Sequence, residues 1–147
     1  MKTALQILLI ISIFLTVNSC NKDKEANSIL FSTWEAKSFM SLESVAYPKN
    51  ENTTILLTFK KDGTYSLKLD INSCGGNFAS GKNNQLEIDF PACTEACCDS
   101  KFSEKLATML PNVTTYEIDG SILKLHVPQW GYIECEIFSS SLINPNP

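Results

Sequence analysis

Short runs in which apolar and polar residues alternate, separated by turn signals, recur through most of this chain. Side chains on a strand alternate between its two faces, so a period of two predicts half-buried β-strands. We expect eight of them, at residues 30–40, 54–60, 64–71, 77–80, 85–90, 113–118, 121–127 and 132–138. Because closing a sheet removes its aggregation-prone edges, the pattern favours a small closed or nearly closed antiparallel barrel over an open sheet.

The same alternation indicates which side chains face the inside of this barrel. The residues assigned to the inner face are Tyr65, Leu67, Leu69 and Ile71, then Leu86, Ile88 and Phe90, then Ile133, Cys135 and Ile137. Asp62-Gly63 and Asp119-Gly120 are residue pairs that tight hairpin turns require. Cys74-Gly75-Gly76 is expected to interrupt the sheet.

One segment, residues 99–110, has a helical period instead, and it follows the fifth strand. Its apolar stripe consists of Phe102, Leu106, Met109 and Leu110. Asp99 or Ser100 can cap the first turn, and Pro111 stops the helix. The predicted fold class is therefore mainly β, a small antiparallel barrel of about eight strands with one inserted helix.

The first nineteen residues have the pattern of an export signal. Lys2 supplies a positive charge, an apolar run extends from Leu5 to Val17, and the residues after Cys20 are polar. A membrane-spanning helix, the alternative, needs ~20 apolar residues, which is longer than this run. A basic start followed by a short apolar core is typical of a secretory signal peptide.

Val17-Asn18-Ser19-Cys20 resembles the lipobox of bacterial lipoproteins. The resemblance implies that Cys20 is acylated, with palmitate or similar chains, and becomes the first residue of the mature protein. Each buried methylene contributes about 0.8 kcal/mol, so two or three acyl chains make a membrane anchor without a spanning segment. We expect a lipid-anchored protein of the cell envelope, at the outer membrane, on its periplasmic or its surface face.

The polar residues 21–25 that follow Cys20 allow two interpretations. They loosely resemble the charged export signals of some Bacteroidetes-type lipoproteins, and they equally suit a plain solvated tether. The predicted organisation is a signal peptide at 1–19, a lipidated Cys with a flexible tether at 20–28, a barrel domain at 29–138 and a disordered tail at 139–147.

The charge balance excludes one class of partner. Loss of one Lys with the signal peptide changes the formal charge from −4 to −5, and the twelve basic side chains are all Lys. A net acidic chain without Arg lacks the bidentate donor that dominates phosphate and base recognition. We therefore expect no nucleic acid partner, and a monomer that contacts the membrane through its lipid.

Five cysteines remain besides Cys20, namely Cys74, Cys93, Cys97, Cys98 and Cys135. Export places them where disulfides persist, and two bridges with one odd thiol can form in many ways. The adjacent Cys97 and Cys98 suit two different partners better than each other. We expect Cys74 to pair with a cysteine of the 93–98 cluster, because both reach one barrel end, and Cys135 to be a second partner or a buried thiol.

Several short motifs share their order and spacing with one protein family. They are Thr33-Trp34, Leu57-Thr58-Phe59, Asp62-Gly63, Asn72-Ser73-Cys74, Thr94-Glu95-Ala96-Cys97, Ile118-Asp119-Gly120 and Leu123-Lys124-Leu125. Over residues 29–138 they resemble the META domain, the HslJ-like family of bacterial envelope proteins. The resemblance implies a lipocalin-like small barrel with a helix, and it implies little about activity. Gly75-Gly76 and the additional Cys93 and Cys98 depart from the family pattern.

The residue patterns do not indicate a catalytic site. A soft-metal site in the cysteine cluster would need a second CxxC or a nearby His, and the spacing differs from that of thiol oxidoreductases. His126 lies on an outer strand face, and Glu134 and Glu136 share an outer face that solvent explains better than acid–base chemistry. We expect no enzyme, no cofactor and no metal.

The two tryptophans receive different predictions. Trp34 is expected to fill one end of the barrel. Trp130 lies in a Pro-Gln-Trp-Gly turn, where it either anchors a partner or packs over the barrel rim.

Three classes of function follow from these features. The leading hypothesis is a non-enzymatic envelope protein that supports envelope integrity or stress tolerance through contacts with another envelope protein. The alternative is a lipocalin-like binder of a small apolar ligand, held in an open cavity lined by Tyr65, Leu67, Ile88 and Tyr116, since eight strands can enclose one such molecule. A thiol or metal enzyme, the third class, would require accessible thiols in the cysteine cluster.

Overall fold

A computed structural model of the protein describes residues 28–50 and 52–138. The predicted signal peptide, Cys20, most of the tether and the predicted tail lie outside the described residues. Within the described part of the chain, no helix is long and apolar enough to cross a membrane.

The described residues form nine antiparallel strands and the helix α1, and residues 28–30 are helical as well. The strands are β1 (Thr33–Ser41), β2 (Leu56–Phe59), β3 (Thr64–Lys68), β4 (Ser73–Ser80), β5 (Leu86–Ile88), β6 (Ala92–Cys93), β7 (Thr115–Asp119), β8 (Ile122–Val127) and β9 (Gly131–Ile137), and α1 (Lys101–Met109) lies between β6 and β7.

Eight of the strands form one continuous sheet in the order β5-β4-β3-β2-β1-β9-β8-β7, and the short β6 pairs with β4 beside this path. The two outermost strands approach each other. The backbone N–H of Leu86 donates to the carbonyl oxygen of Thr114 at 2.9 Å, and Gln85 forms a bridge with Thr115. The sheet is therefore a nearly closed antiparallel barrel with one inserted helix, which confirms the predicted fold class.

The core fills the inside of this barrel. Trp34, Leu57, Leu67, Leu125 and Ile133 are all nearly or fully inaccessible to solvent. Trp34 donates from its indole N–H to the carbonyl oxygen of Leu30 at 3.1 Å, so its polar atom is satisfied inside the core. A buried aromatic with a paired N–H agrees with the predicted structural role of Trp34.

Helix α1 begins and ends as its sequence predicts. Ser100 is the N-cap, and its hydroxyl accepts from the backbone N–H of Ser103 at 3.2 Å. The helix continues into a 3₁₀ turn, Leu110–Asn112, that contains Pro111. Phe102 and Leu106 are buried against the sheet, so the helix is held by its apolar stripe.

Three residues assigned to the inner face are exposed instead, each at the end of a strand. Ile71 is 58% exposed, Phe90 79% and Ile137 37%. β3 ends at Lys68 and β5 at Ile88, so Ile71 and Phe90 lie beyond the strands whose alternation predicted them. Ile137 is the last residue of β9.

The pair Gly75-Gly76 does not interrupt the sheet, which corrects another expectation. Both glycines lie inside β4, with Gly76 opposite Tyr65 of β3. A Cβ on Gly76 would lie 2.8 Å from a ring carbon of Tyr65. Glycine is therefore needed here because an aromatic ring covers the strand, not because the chain turns.

Candidate functional site

The barrel has two ends, and the disulfides, a cluster of aromatic rings and a network of polar side chains lie at one of them. The near end is where the described chain begins, and it also carries the β2–β3 and β7–β8 turns. The far end carries the β8–β9 turn at residues 128–130, the loop 42–55, the β3–β4 turn at 69–72 and the segment 94–100. Antiparallel pairing brings these four connections together, although they are far apart in the sequence.

The β8–β9 turn packs closely against the end of β1. The backbone N–H of Trp130 donates to the carbonyl oxygen of Val127 at 3.2 Å, and that of Leu42 donates to the carbonyl oxygen of Trp130 at 3.0 Å. Gly131 has φ +141°, and a Cβ there would lie 1.9 Å from the carbonyl oxygen of Met40. The turn and β1 can reach this distance only with glycine at position 131.

Trp130 packs over the rim of the barrel and is 9% exposed. Phe39 stacks on Phe102 of α1 with ring centroids 4.4 Å apart, and it meets Trp130 and Tyr47 edge to face at 5.8 and 5.7 Å. Of the two interpretations of Trp130, the structure places the indole in the packed position. These four rings form an aromatic cluster that fastens the loop 42–55 and α1 to the sheet.

A charge pair lies on this cluster. Lys105 Nζ lies 4.9 Å from the ring centre of Tyr47 and 5.1 Å from that of Trp130, and it is 3.1 Å from a carboxylate oxygen of Glu43. The Tyr47 hydroxyl donates to Glu43 at 2.8 Å, and this bond, with help from Trp130 and Lys105, lowers the pKa of the Glu43 carboxyl. Among the described residues, the Trp130 indole N–H has no hydrogen-bond partner of ordinary geometry, although it lies near this carboxylate.

Three apolar side chains of residues 40–45, the end of β1 and the start of the following loop, are exposed. Met40 is 52% exposed, Leu42 86% and Val45 59%, and we call these three residues the apolar rim. Leu42 also borders an open cleft of about 630 Å³, whose other walls include His126, Pro128 and Trp130. Large exposed apolar side chains next to a cleft are typical of surfaces that contact other molecules.

The predicted ligand contacts inside the barrel are buried in the core. Tyr65 is 2% exposed, Tyr116 3%, and Leu67 and Ile88 belong to the same core cluster. The Tyr65 hydroxyl donates to the carbonyl oxygen of Asp89 at 2.8 Å, and burial raises its pKa to about 12. The barrel fold is compatible with a binder, but these four side chains are buried in the core of the described residues.

The cysteines form two bridges at the far end. Cys74 of β4 is joined to Cys93 of β6, which agrees with the expected pairing of Cys74 with the cluster. Cys97 is joined to Cys98, so the expectation that these two adjacent cysteines have different partners is wrong. Cys98 has φ +87°, a backbone conformation that L residues rarely adopt. The expectation of two different partners assumed an ordinary backbone conformation, which does not hold at this position. Cys135 is fully buried and has no disulfide partner among the described residues.

A polar network holds the segment that carries the second bridge. The Asn72 side chain donates to the carbonyl oxygen of Ala96 at 2.8 Å and to Asp99 at 2.7 Å, and it accepts from the Ala96 N–H and the Thr94 hydroxyl. Asp99 in turn accepts from the backbone N–H groups of residues 71 and 72. Asn72 is 8% exposed, and its side-chain oxygen and nitrogen are both paired, as a buried amide requires.

The network extends to α1 through Asp70. One of its carboxylate oxygens accepts from the backbone N–H and the hydroxyl of Ser100, and from the hydroxyl of the fully buried Ser103. Partial burial raises the pKa of Asp70, but these hydrogen bonds outweigh it, so the pKa lies below its ordinary value. The joint role of Asp70 and Asn72 could not be predicted from the sequence, since Asn and Asp after a strand are most simply explained as turn residues.

The remaining residues considered for catalysis lie on the outer face of the sheet, beside side chains of other strands. His126 Nε2 is 3.6 Å from Glu117, and its ring contacts Tyr132. Glu136 is 3.5 Å from Lys37, and Glu134 lies opposite Lys124 on the neighbouring strand. In the part of the chain that the structure describes, no group of three or more His, Cys, Asp or Glu side chains could hold a metal ion.

The fold and the far end together define a small antiparallel barrel with one helix and a disulfide-bearing rim. The chain matches the META domain over residues 27–130, and it belongs to that family. The match confirms the resemblance inferred from the motifs. No curated protein matches the chain.

A solved structure has the same fold. It is the crystal structure of a DUF4847 family protein from Bacteroides vulgatus, with 19% sequence identity and a TM-score of 0.56. The similarity covers 73% of this chain and 92% of that chain. At this identity the likeness supports the barrel architecture alone.

Proposed function

We propose that this protein is a lipid-anchored envelope protein without enzymatic activity, whose META domain supports envelope integrity or stress tolerance by contacting another envelope protein. The observation that carries the proposal is the apolar rim, where Met40, Leu42 and Val45 are each more than half exposed. A monomeric domain gains nothing in stability from such side chains in water, so a partner that covers them explains their presence.

The position of the apolar rim suits an anchored protein. The described chain begins at residue 28 at the near end, and the apolar rim lies at the far end. Acyl chains on Cys20 would therefore enter the membrane on the side of the tether and leave the far end free for a partner. The protein can be held in a membrane and contact another protein at the same time.

The surroundings of the apolar rim support recognition of a folded partner. The neighbouring aromatic cluster contains stacked and edge-to-face rings, and Lys105 and Glu43 place one charge of each sign beside it. Protein interfaces combine a central apolar area with a polar edge in this way. The interior of the barrel supports the competing function, a binder of a small apolar ligand, less well because its side chains fill it.

The absence of enzymatic activity rests on chemistry. A triad or an acid–base pair needs groups that face one another in a site sheltered from water. His126, Glu134 and Glu136 lie on the outer surface of the sheet instead, beside side chains of opposite charge or an aromatic ring. These contacts explain the three residues without a reaction.

The experiment that tests the proposal is capture of envelope proteins by the native lipoprotein, identified by mass spectrometry after cross-linking. The double substitution Leu42→Ser and Val45→Ser should reduce capture of the main partner at least tenfold, because it removes apolar contact area. Ile71→Ser is the matched control, since Ile71 is exposed at the far end but lies in a different connection. Equal capture by the double variant would contradict the proposed contact.

Anchorage is tested separately in the same cells. Cys20→Ala should abolish labelling with palmitate and release the protein from the membrane fraction, because the acylated side chain is gone. Unchanged fractionation would overturn the lipoprotein assignment and leave the proposed contact standing. Replacing Lys22, Asp23, Lys24 and Glu25 by Ala should change surface exposure to protease only if these residues are an export signal.

A further inference from the structure

The two disulfides at the far end differ in the backbone that carries them, since one joins two paired strands and the other lies in a loop segment. Cys74 is 7% exposed, and its partner Cys93, which is exposed, lies directly opposite it in a pair of hydrogen-bonded strands. Cys97 and Cys98 are both exposed and lie in the segment 94–100, outside any strand or helix. A thiol reagent in water can therefore reach the second bridge without any movement of the sheet.

The segment around the second bridge is held by other contacts. Before the bridge, Thr94 donates from its N–H to the carbonyl oxygen of Ser73 at 3.0 Å, and Ala96 is bonded through both its N–H and its carbonyl group to Asn72. After the bridge, the carboxylate of Asp99 is bonded to residues 71 and 72. Opening the Cys97–Cys98 bond removes none of these hydrogen bonds, so the segment keeps its place.

The two bridges also differ in what they do for the fold. Cys74 and Cys93 are 19 residues apart, so their bond closes a long loop and restricts the unfolded chain. Cys97 and Cys98 are neighbours, so their bond closes no loop of comparable length. If a disulfide stabilises the folded protein, folding makes that disulfide harder to reduce by the same free energy. Only the Cys74–Cys93 bridge is protected from reduction in this way.

We propose that the Cys97–Cys98 bridge is a reversible thiol–disulfide exchange site, whose reaction partner is a protein dithiol of the envelope and whose opening leaves the barrel folded. A thiolate of the dithiol attacks one sulfur of the bridge, the Cys97–Cys98 bond breaks, and the departing sulfur takes up a proton. The second thiol of the partner then attacks the mixed disulfide. Two electrons pass from the dithiol to the bridge, which leaves two cysteine thiols here and a disulfide in the partner.

Adjacent cysteines favour a dithiol over a single thiol as the partner. Once one sulfur carries a mixed disulfide, the neighbouring thiol lies close enough to displace the reductant and reclose the bridge. A dithiol competes because its own second thiol is equally close. Cys135 does not enter the exchange, because it is fully buried in the core and burial raises its pKa to about 12.

The test uses the purified, oxidised full-length lipoprotein with dithiothreitol as the dithiol probe, followed by alkylation and peptide mapping. Cys97 and Cys98 should become alkylated together at a ratio of reduced to oxidised probe roughly 100-fold lower than Cys74 and Cys93, as a loop of this length implies. The circular dichroism spectrum should not change when they do. Opening of both bridges at the same ratio, or of Cys74–Cys93 first, would overturn the proposal.

A second measurement addresses the protein partner directly. A thioredoxin-fold protein that lacks its second active-site cysteine should be trapped as a mixed disulfide on Cys97 or Cys98. The double variant Cys97→Ser with Cys98→Ser is the control, and it should lose the adduct while keeping the melting temperature. An adduct of equal yield in that variant, or a trap that reacts only at Cys93, would refute the assignment of the exchange site.

Discussion

Two sides of the far end are held together by different interactions. On one side, the rings of Phe39, Trp130 and Tyr47 pack over the rim. On the other side, hydrogen bonds of Asp70, Asn72 and Asp99 join the β3–β4 turn to the segment 94–100. We call these the aromatic side and the polar side. Two neighbouring residues of α1 join them, because Phe102 stacks on the aromatic side and Ser103 donates to Asp70 on the polar side.

The difference between the two sides teaches how one barrel end can carry two kinds of exposed chemistry. The free energy of aromatic packing depends on the apolar area that is buried and not on direction. The rings can therefore close the rim while apolar side chains such as Leu42 stay exposed to water. Hydrogen bonds depend on direction, so the polar side fixes the backbone of residues 94–100 and leaves the Cys97–Cys98 bridge on the surface. The helix between them makes the far end a single unit.

The largest effect is expected on the aromatic side, from Gly131→Ala. The new Cβ would meet the carbonyl oxygen of Met40 at 1.9 Å, and φ of +141° is unfavourable for any L residue. Because both problems involve backbone atoms, β1 and the β8–β9 turn would have to separate. We expect a loss of about 4 kcal/mol or more in the free energy of unfolding, measured by urea denaturation.

Gly120→Ala is the matched control for that substitution. Gly120 also has a positive φ, of +57°, but a Cβ there would meet nothing within 4 Å. The cost should be about 1 kcal/mol, the usual penalty for an L residue in the left-handed region. Similar losses in the two variants would show that close contact with β1 does not hold the aromatic side.

The next effect is expected on the polar side, from the removal of each disulfide. Cys74→Ser with Cys93→Ser should lower the free energy of unfolding by roughly 3 kcal/mol, because the bond closes a loop across 19 positions of the sequence. Cys97→Ser with Cys98→Ser should lower it by less than about 0.5 kcal/mol, as surface substitutions do. Urea denaturation of both double variants checks the difference, and equal losses would show that loop closure does not distinguish the two bridges.

The smallest effect concerns the pH dependence of stability through Asp70. Its pKa is lower in the folded protein than in the unfolded chain, so its contribution is complete above the unfolded value of about 4 and is lost as the pH falls through the folded value. In Asp70→Asn the free energy of unfolding should therefore fall less steeply with acid. Ser103→Ala, which removes one of the donors, should flatten the profile in part. A profile identical to the wild type in Asp70→Asn would refute this role.

The strands, the helix and most inner-face residues could be predicted from the sequence because they follow from local periodicity. Leu67, Leu86 and Ile133 are buried as their alternation predicts. The predictions failed where strands end, at Ile71 and Phe90, because the last residue of a strand depends on its neighbours and not on its own pattern. Gly75-Gly76 failed for a related reason, since the ring that covers Gly76 comes from another strand.

The sequence by itself determined the fold class, the family and the approach of Cys74 to the cysteine cluster, because alternation, turn residues and strand order are properties of the chain. The tertiary structure alone decided that Trp130 packs over the rim, that Cys97 bonds to Cys98, and that Asp70 and Asn72 hold the segment 94–100 in place. These features depend on contacts between segments that are 20 or more residues apart, or on a rare backbone conformation at Cys98. Local sequence patterns carry no information about such contacts or about this conformation. The packing, the bridge and the hydrogen bonds of the far end therefore follow only from the folded barrel.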